Sequence, residues 1–237
     1  NAGVCKTPMR RFNSGTRLKV CYNSFSRVRS SVVERFPDKK EVQSSILCAP
    51  TMNSEHSGRY PQPDLIAPGL TVDLFERLRH ERGIKFAIVD LDNTLADALP
   101  NSTGGHDIDE DSVHALREAR SKGLLKDYSL LSNIQIPLPR LKRRVSDFAQ
   151  LLDTKHFHAA TFGHAKPDPR AFRIVLELME ANARETVVIG DQLDTDIAGA
   201  HSIGAYSILR YPHFGRDAFY KEGKRRKQQT IVASFKR

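Results

Sequence analysis

The chain of 237 residues has no tryptophan, only three cysteines and no long apolar run. Cys5, Cys21 and Cys48 all precede residue 61 and form no Cys-x-x-Cys pair, which argues against a disulfide scaffold or a zinc module. No stretch approaches the roughly 18 apolar residues that cross a bilayer, so no transmembrane segment is predicted. The lack of an apolar run of roughly 7–15 residues behind the basic start disfavours a secretory signal peptide.

Acidic residues are scarce at both ends of the chain. The net charge of +9 divides into +7 for residues 1–60, −4 for residues 61–215 and +6 for residues 216–237. A nucleic-acid-binding domain needs its basic patch on the folded part. The acidic middle therefore predicts that nucleic acid is not a partner, despite the overall excess of Lys and Arg.

The two ends are interpreted separately from the middle. Residues 1–33 contain seven Lys or Arg, five Ser and no acid, which is typical of an organellar transit segment. The alternative is a basic arm that binds a membrane or RNA. Residues 34–60 lack sustained periodicity and are interpreted as a linker, and residues 216–237 as a basic C-terminal tail.

Residues 61–215 have the alternating pattern of an α/β domain. Apolar runs predict five buried strands, at 86–89, 128–131, 156–161, 186–189 and 205–209. Helical patterns lie at 111–122, 139–152, 169–181 and 195–202, with a further short helix that ends at Gly83. This order predicts a three-layer, Rossmann-like fold with a central parallel sheet covered on both faces. In such sheets, ligands bind beyond the carboxyl ends of the strands.

Polar side chains occupy the positions that this rule selects. They are Asp90, Asp92 and Thr94 after the first strand, Ser132 and Asn133 after the second, Lys166 before the 169–181 helix, and Asp191 and Asp196 after the fourth strand. Taken singly, each of these residues is equally well explained as a helix cap or a turn residue. All of them together, in this order, predict one active site.

The motifs Asp90-Leu-Asp-Asn-Thr-Leu95, Ser132, Lys166 and Gly190-Asp-Gln-Leu-Asp-Thr-Asp196 resemble the four motifs of the haloacid dehalogenase (HAD) superfamily of phosphatases. The resemblance covers about residues 61–215. Three stretches are more specific than the superfamily motifs: Asp-Leu-Asp-Asn-Thr-Leu, Ala165-Lys-Pro167 and Gly-Asp-Gln-x-x-Thr-Asp. They are similar to the branch that contains mitochondrial phosphatidylglycerophosphate phosphatases and their bacterial relatives.

The resemblance implies a catalytic role for four of these residues. Asp90 is expected to attack phosphorus and form an aspartyl-phosphate, and Asp92 to act as general acid and then general base. Ser132 and Lys166 are expected to hold the transferring phosphoryl oxygens. Substrate-binding roles are expected for Thr94 and Asn133.

Mg²⁺ is the cofactor that the resemblance implies. Asp90 and Asp92 would repel each other without a cation, and hard oxygen ligands suit Mg²⁺. The expected metal ligands are Asp90, Asp92 (through its backbone carbonyl) and Asp191. Asp196 is expected to orient a metal-bound water or Lys166.

The spacing of the motifs leaves little room for a cap domain. Asp90 and Ser132 are 42 residues apart, Ser132 and Lys166 are 34 apart, and residues 100–109 are expected to form only a small flap. A capless (subfamily III) site suits a large substrate. The resemblance to the branch named above, together with the transit-like start, then implies dephosphorylation of phosphatidylglycerophosphate on the route to cardiolipin. The expected location is the matrix side of the mitochondrial inner membrane, or else a plastid.

The basic segments at 140–144 and 224–227 are expected to contact anionic lipid peripherally. An equally simple interpretation is that they are solvated helix faces and a tail. Two other functions remain open. One is a phosphatase of a phosphoprotein or a soluble phosphate ester, and the other is a non-catalytic, nucleic-acid-associated scaffold.

Overall fold

The computed structural model describes residues 19–20, 61–102, 105–133, 148, 150–154, 156–159, 164–215 and 222–235. Apart from Lys19 and Val20, the predicted transit segment (1–33) and linker (34–60) lie outside the described residues. The basic residues of the helix predicted at 139–152 do so as well, although its described residues, 148 and 150–152, are helical. These assignments stay predictions.

Nine strands are present among the described residues. They are β1 (Lys19–Val20), β2 (Leu65–Ala67), β3 (Phe86–Val89), β4 (Ala96–Pro100), β5 (His106–Ile108), β6 (Asp127–Ser132), β7 (His156–Ala159), β8 (Thr186–Gly190) and β9 (Tyr206–Arg210). Seven of them form one parallel sheet in the order β1-β7-β6-β3-β8-β9-β2, while β4 and β5 pair as a separate antiparallel hairpin. The helices are α1 (Val72–Arg82), α2 (Glu110–Ser121), α3 (Pro169–Leu178), α4 (Ala198–Ile203) and α5 (Glu222–Phe235).

Alternate residues of the central strand β3 face opposite helical layers, as the two-residue period of a strand requires. Ala87 and Val89 share a buried cluster with residues of α1 and α2, whereas Phe86 and Ile88 cluster with residues of α3 and α4. All four residues of β3 are buried. The predicted α/β fold is confirmed, and each of the five predicted strands is present.

The register of the sheet brings the ends of three strands level with one another. Val89 of β3 is opposite Leu130 of β6 on one side and Ile189 of β8 on the other. The residues that follow these strands therefore meet at one edge. This alignment is what places Asp90, Ser132 and Asp191 in one region.

Two local features differ from the sequence-based prediction. Residues 65–67, which are not among the five predicted strands, form strand β2, which pairs with the end of β9. Three residues are too few to show a two-residue period. The helix predicted at 195–202 instead begins as a π-helical turn, Leu193–Ile197, which continues into α4.

The β4–β5 hairpin is the small flap expected after the first strand. Asn101 at its tip donates a backbone hydrogen bond to Gly105 (2.7 Å), which closes the hairpin. Residues 134–147, which form part of the gap between the motifs at Ser132 and Lys166, are outside the described residues. The absence of a cap domain therefore stays a prediction.

The segment interpreted as a basic tail contains helix α5. Val232 of this helix is buried in a cluster with Leu193, Ile197 and Leu209, and Gln228 is also buried. The buried positions are four residues apart and so share one face of the helix. The fold therefore continues past residue 215. The run of charges at 224–227 obscured this apolar face in the sequence. Among the described residues, no helix combines the length and hydrophobicity that a membrane span requires.

Candidate active site

The loop after β3 is a tight turn that holds the first motif. Asp90 continues the sheet pairing by donating its backbone N–H to Ile189 (2.9 Å). The carbonyl of Leu91 then accepts from the N–H groups of Leu95 and Ala96 at 3.0 Å. Asn93 adopts a left-handed conformation (φ 57°), which asparagine tolerates better than most residues. These contacts fix the backbone on both sides of Asp92.

Lys166 lies between two carboxylates, one in the loop after β3 and one in the π-helical turn after β8. Its Nζ is 2.7 Å from Asp90 Oδ1 and 2.6 Å from Asp196 Oδ1, and all three side chains are buried. Burial acts to lower the pKa of Lys166, but Asp196 and Asp90 outweigh it and the pKa lies above its ordinary value. Lys166 is therefore a permanent ammonium group at the site.

The carboxylates respond to burial in the opposite sense. Burial raises the pKa of Asp196 to about 6, although Lys166 opposes the shift. Burial likewise raises the pKa of Asp90 against the opposing effect of Lys166, with a smaller contribution from the charge of Asp92. The site holds more negative charge than one lysine can compensate, and a cation would relieve this imbalance.

Three carboxylates are placed to hold that cation. Asp90, Asp191 and Asp196 are all buried, and one oxygen of each lies within 4.8 Å of the others. A set of hard oxygen donors of this kind fits Mg²⁺. The expected ligands Asp90 and Asp191 are thus brought together, and Asp196 joins them besides contacting Lys166. The carboxylate of Asp92 is not a member of this group.

Ser132 and Asn133 lie beside the charged cluster. Ser132 Oγ donates to Asp92 Oδ2 at 3.4 Å, so these two predicted catalytic side chains are in contact. Asn133 makes two hydrogen bonds to the backbone of Lys166, donating to its carbonyl (3.0 Å) and accepting from its N–H (2.9 Å). The side chain of Asn133 therefore holds the Lys166 loop in place. A direct role in substrate binding stays a prediction.

Thr94 is completely buried, and its carbonyl accepts a hydrogen bond from Arg210 Nη1 at 2.6 Å. Arg210 thus holds the backbone of the loop at Thr94, and the expected contact of Thr94 with substrate stays a prediction. Arg210, at the end of β9, also contacts Asp109 and Ser112. Sequence reasoning missed Arg210 because a lone arginine at the end of a strand has no distinguishing pattern.

Gly190 is a second residue that sequence reasoning left without a role. A Cβ at this position would lie 2.2 Å from Asp196 Cγ, far inside van der Waals contact. Only glycine lets the Asp196 carboxylate approach the end of β8. The backbone N–H of Gln192 donates to Asp196 Oδ2 at 3.1 Å and fixes that carboxylate from the same loop. Gln228 of α5 is the third such residue, and its Nε2 donates to the backbone carbonyl of Asp191 at 2.7 Å.

Comparisons with known proteins identify the family of this chain. A family model described as HAD-hydrolase-like matches residues 164–211. The chain is 31% identical over 163 residues to a Bacillus subtilis protein named the probable phosphatase YqeG, an alignment that covers 68% of this chain and 84% of that protein. The chain belongs to the HAD-like hydrolase superfamily.

Two further matches cover a smaller share of this chain. A ribulose-1,5-bisphosphate 5-phosphatase from Halopiger xanaduensis is 31% identical over 111 residues, which is 46% of this chain and 44% of that protein. The crystal structure of an uncharacterized protein from Listeria monocytogenes superposes with a TM-score of 0.45 at 22% identity, and covers 58% of this chain and 85% of that one.

Proposed function

We propose that this protein is a Mg²⁺-dependent phosphatase that hydrolyses a phosphoric monoester through an aspartyl-phosphate. The observation that carries the proposal is the buried group of Asp90, Asp191 and Asp196 with Lys166 between two of its members. Mg²⁺ bound by these carboxylates would neutralise charge on the phosphoryl oxygens. The relative named as a phosphatase supports the same reaction class.

The residues at the strand ends divide the chemistry between two half-reactions. A carboxylate oxygen of Asp90 attacks phosphorus, the ester P–O bond breaks, and Asp92 gives its proton to the leaving alcohol oxygen. Asp92 then removes a proton from water, whose oxygen attacks phosphorus and releases Asp90 and inorganic phosphate. Lys166 and Ser132 hold the transferring phosphoryl oxygens and stabilise their negative charge, with Ser132 Oγ 3.4 Å from Asp92 Oδ2.

We further propose that phosphatidylglycerophosphate is the substrate and phosphatidylglycerol the product. Support comes from the resemblance of the motifs to that branch and from the small β4–β5 flap. The basic sequence 224–227 lies on helix α5. This helix packs against residues 191–197, the active-site loop that carries Asp191 and Asp196. Peripheral contact with an anionic membrane, in a mitochondrion or else a plastid, fits these features.

A second candidate substrate is a soluble phosphate ester. It is favoured by the similarity to the Halopiger xanaduensis enzyme, whose name gives a sugar bisphosphate as its substrate. That alignment covers less than half of either chain. A phosphoprotein substrate would require the open, capless site that the motif spacing predicts.

Phosphate release from a panel of esters separates these candidates. The full chain is assayed with Mg²⁺ on phosphatidylglycerophosphate in mixed micelles and on soluble esters, including a sugar bisphosphate and a phosphopeptide. We expect turnover of the lipid, abolished in Asp90→Asn and retained in Asp73→Asn, the same change at an exposed residue of α1. Turnover of soluble esters alone would reject the lipid substrate, and no turnover of any ester would reject the phosphatase.

A further inference from the structure

The C-terminal helix α5 reaches the active-site loop through one polar side chain. Gln228 is buried, with 6% of its surface exposed, and its Nε2 donates a 2.7 Å hydrogen bond to the backbone carbonyl of Asp191. The two residues are 37 positions apart in the chain. A buried amide that reaches a backbone group in this way is costly to leave unpaired, so the contact fixes the helix relative to the loop.

The apolar contacts of α5 support the same arrangement. Val232, one helical turn after Gln228, is buried with Leu193 and Ile197 of the π-helical turn, and Ile231 packs against this cluster. The turn that these residues cover contains Asp196. Helix α5 therefore covers the segment that supplies two of the three clustered carboxylates.

Gln228 acts on a particular peptide group. The Asp191 carbonyl and the Gln192 N–H belong to the same planar unit. Gln228 donates to its oxygen, and Asp196 Oδ2 accepts from its N–H at 3.1 Å. With both polar ends held, the plane cannot rotate, so the backbone of Asp191 and the starting point of its side chain are fixed.

We propose that Gln228 is a positioning residue for the divalent cation and that helix α5 completes the metal site. The inference rests on the proposed function, because it requires Asp191 to be a metal ligand. Gln228 touches neither the cation nor the substrate. It acts by restricting Asp191, and such outer contacts typically contribute about 10-fold to 100-fold in metal affinity.

The test is a calorimetric titration of Mg²⁺ alone into the full chain, without substrate. Gln228→Met has a side chain of similar length and has no donor. Gln229→Met makes the same change at the next residue, which is exposed. We expect the Mg²⁺ dissociation constant to rise about 10-fold in Gln228→Met and to remain unchanged in Gln229→Met.

A second pair of variants separates positioning from simple packing. Val232→Ala removes buried apolar contact from the same face of α5 and leaves the hydrogen bond in place. It should lower the melting temperature with at most a small change in Mg²⁺ affinity. Gln228→Leu keeps the branch of the side chain at a shorter length, adds no charge and has no donor. It should therefore weaken Mg²⁺ binding about 10-fold and serves as the test if Gln228→Met does not fold.

The outcomes have distinct consequences. Equal Mg²⁺ affinity in the unsubstituted chain and a folded Gln228 variant would overturn the positioning role and leave the phosphatase proposal standing. The same loss of affinity in Val232→Ala as in Gln228→Met would also overturn it, because packing would then explain both. Failure of the unsubstituted chain to bind Mg²⁺ would overturn the metal-dependent mechanism and this inference together.

Discussion

Two largely buried clusters lie at the same edge of the sheet, and each contains a basic side chain and one or more carboxylates. The two clusters differ in their net charge. Around Lys166, one cation faces Asp90 and Asp196, with Asp191 close by. Around Arg210, one cation faces one carboxylate, Asp109, together with neutral oxygens of Thr94 and Ser112. The first cluster has surplus negative charge, and the second is compensated.

The pKa values follow that difference. Burial raises the pKa values of Asp90 and Asp196 because one lysine cannot offset the loss of water around so many carboxylates. Burial acts in the same direction on Asp109, but hydrogen bonds from Ser112 and Arg210 outweigh it and lower the pKa of that carboxyl. A compensated cluster is suited to holding a loop. An uncompensated one is suited to binding a cation and an anionic substrate.

The largest effect is expected from removing the lysine of the uncompensated cluster. Lys166→Met should reduce kcat by roughly 100-fold to 1,000-fold, since it removes the charge that is proposed to stabilise the transferring phosphoryl group. Steady-state phosphate release measures this. Lys85→Met is the matched control, because Lys85 pairs with Glu185 at the surface and such pairs contribute less than about 1 kcal/mol. Comparable kcat values for the two variants would contradict the catalytic role of Lys166.

A smaller but still large loss of kcat is expected when a methyl group is added at Gly190, the last residue of β8. Gly190→Ala places a Cβ 2.2 Å from Asp196 Cγ, so the carboxylate must leave its position beside Lys166. A displacement of about 1 Å at an active site can cost about 100-fold in kcat. Gly69→Ala, beside the Arg210 cluster, is the control, since its Cβ would meet Ser112 Oγ at an ordinary 3.6 Å. If Gly190→Ala retained full activity, the position of Asp196 would not matter for turnover.

The two clusters also differ in how far the sequence predicts them. Asp90 and Asp191 follow from strand-end positions, and Lys166 from its place in a motif before a predicted helix, because the carboxyl ends of parallel strands meet at one edge. Arg210 and Gln228 do not, because each donates to a backbone carbonyl, 116 and 37 positions away in the chain, and every residue carries such a carbonyl. Neither pairing leaves a local pattern, and only the packed fold reveals it.

The strands and helices likewise divide into those that the sequence predicts and those that only the packed fold reveals. Strands with four or more buried apolar residues, such as β3, are predicted directly from their composition. Strand β2 has three residues and gains its partner only when β9 lies beside it. The inward face of α5 is short and is preceded by four basic residues, so charge dominates its sequence.

The smallest effect, on stability alone, is expected at the compensated cluster. The pKa of Asp109 in the folded state is below its ordinary value of 3.8, so its charge stabilises the fold above about pH 4. That contribution is lost as the pH falls through the lowered pKa. Asp109→Asn keeps a good cap at the start of α2 but removes the charge, and should lower stability at pH 7 by about 1–2 kcal/mol. Thermal unfolding between pH 7 and pH 2 measures the difference, which should shrink as the pH falls below about 4.

Asp168→Asn provides the contrast for this measurement. Asp168 also caps a helix, α3, and the hydrogen bonds from Arg170 lower its pKa to about 2, but this pair is exposed to solvent. Added salt should therefore reduce the effect of Asp168→Asn and leave that of Asp109→Asn largely intact, because buried charges are screened less. An Asp109→Asn effect that vanished in high salt would mean that the Arg210 cluster is open to water. The contrast with the Lys166 cluster would then rest on charge count alone and not on burial.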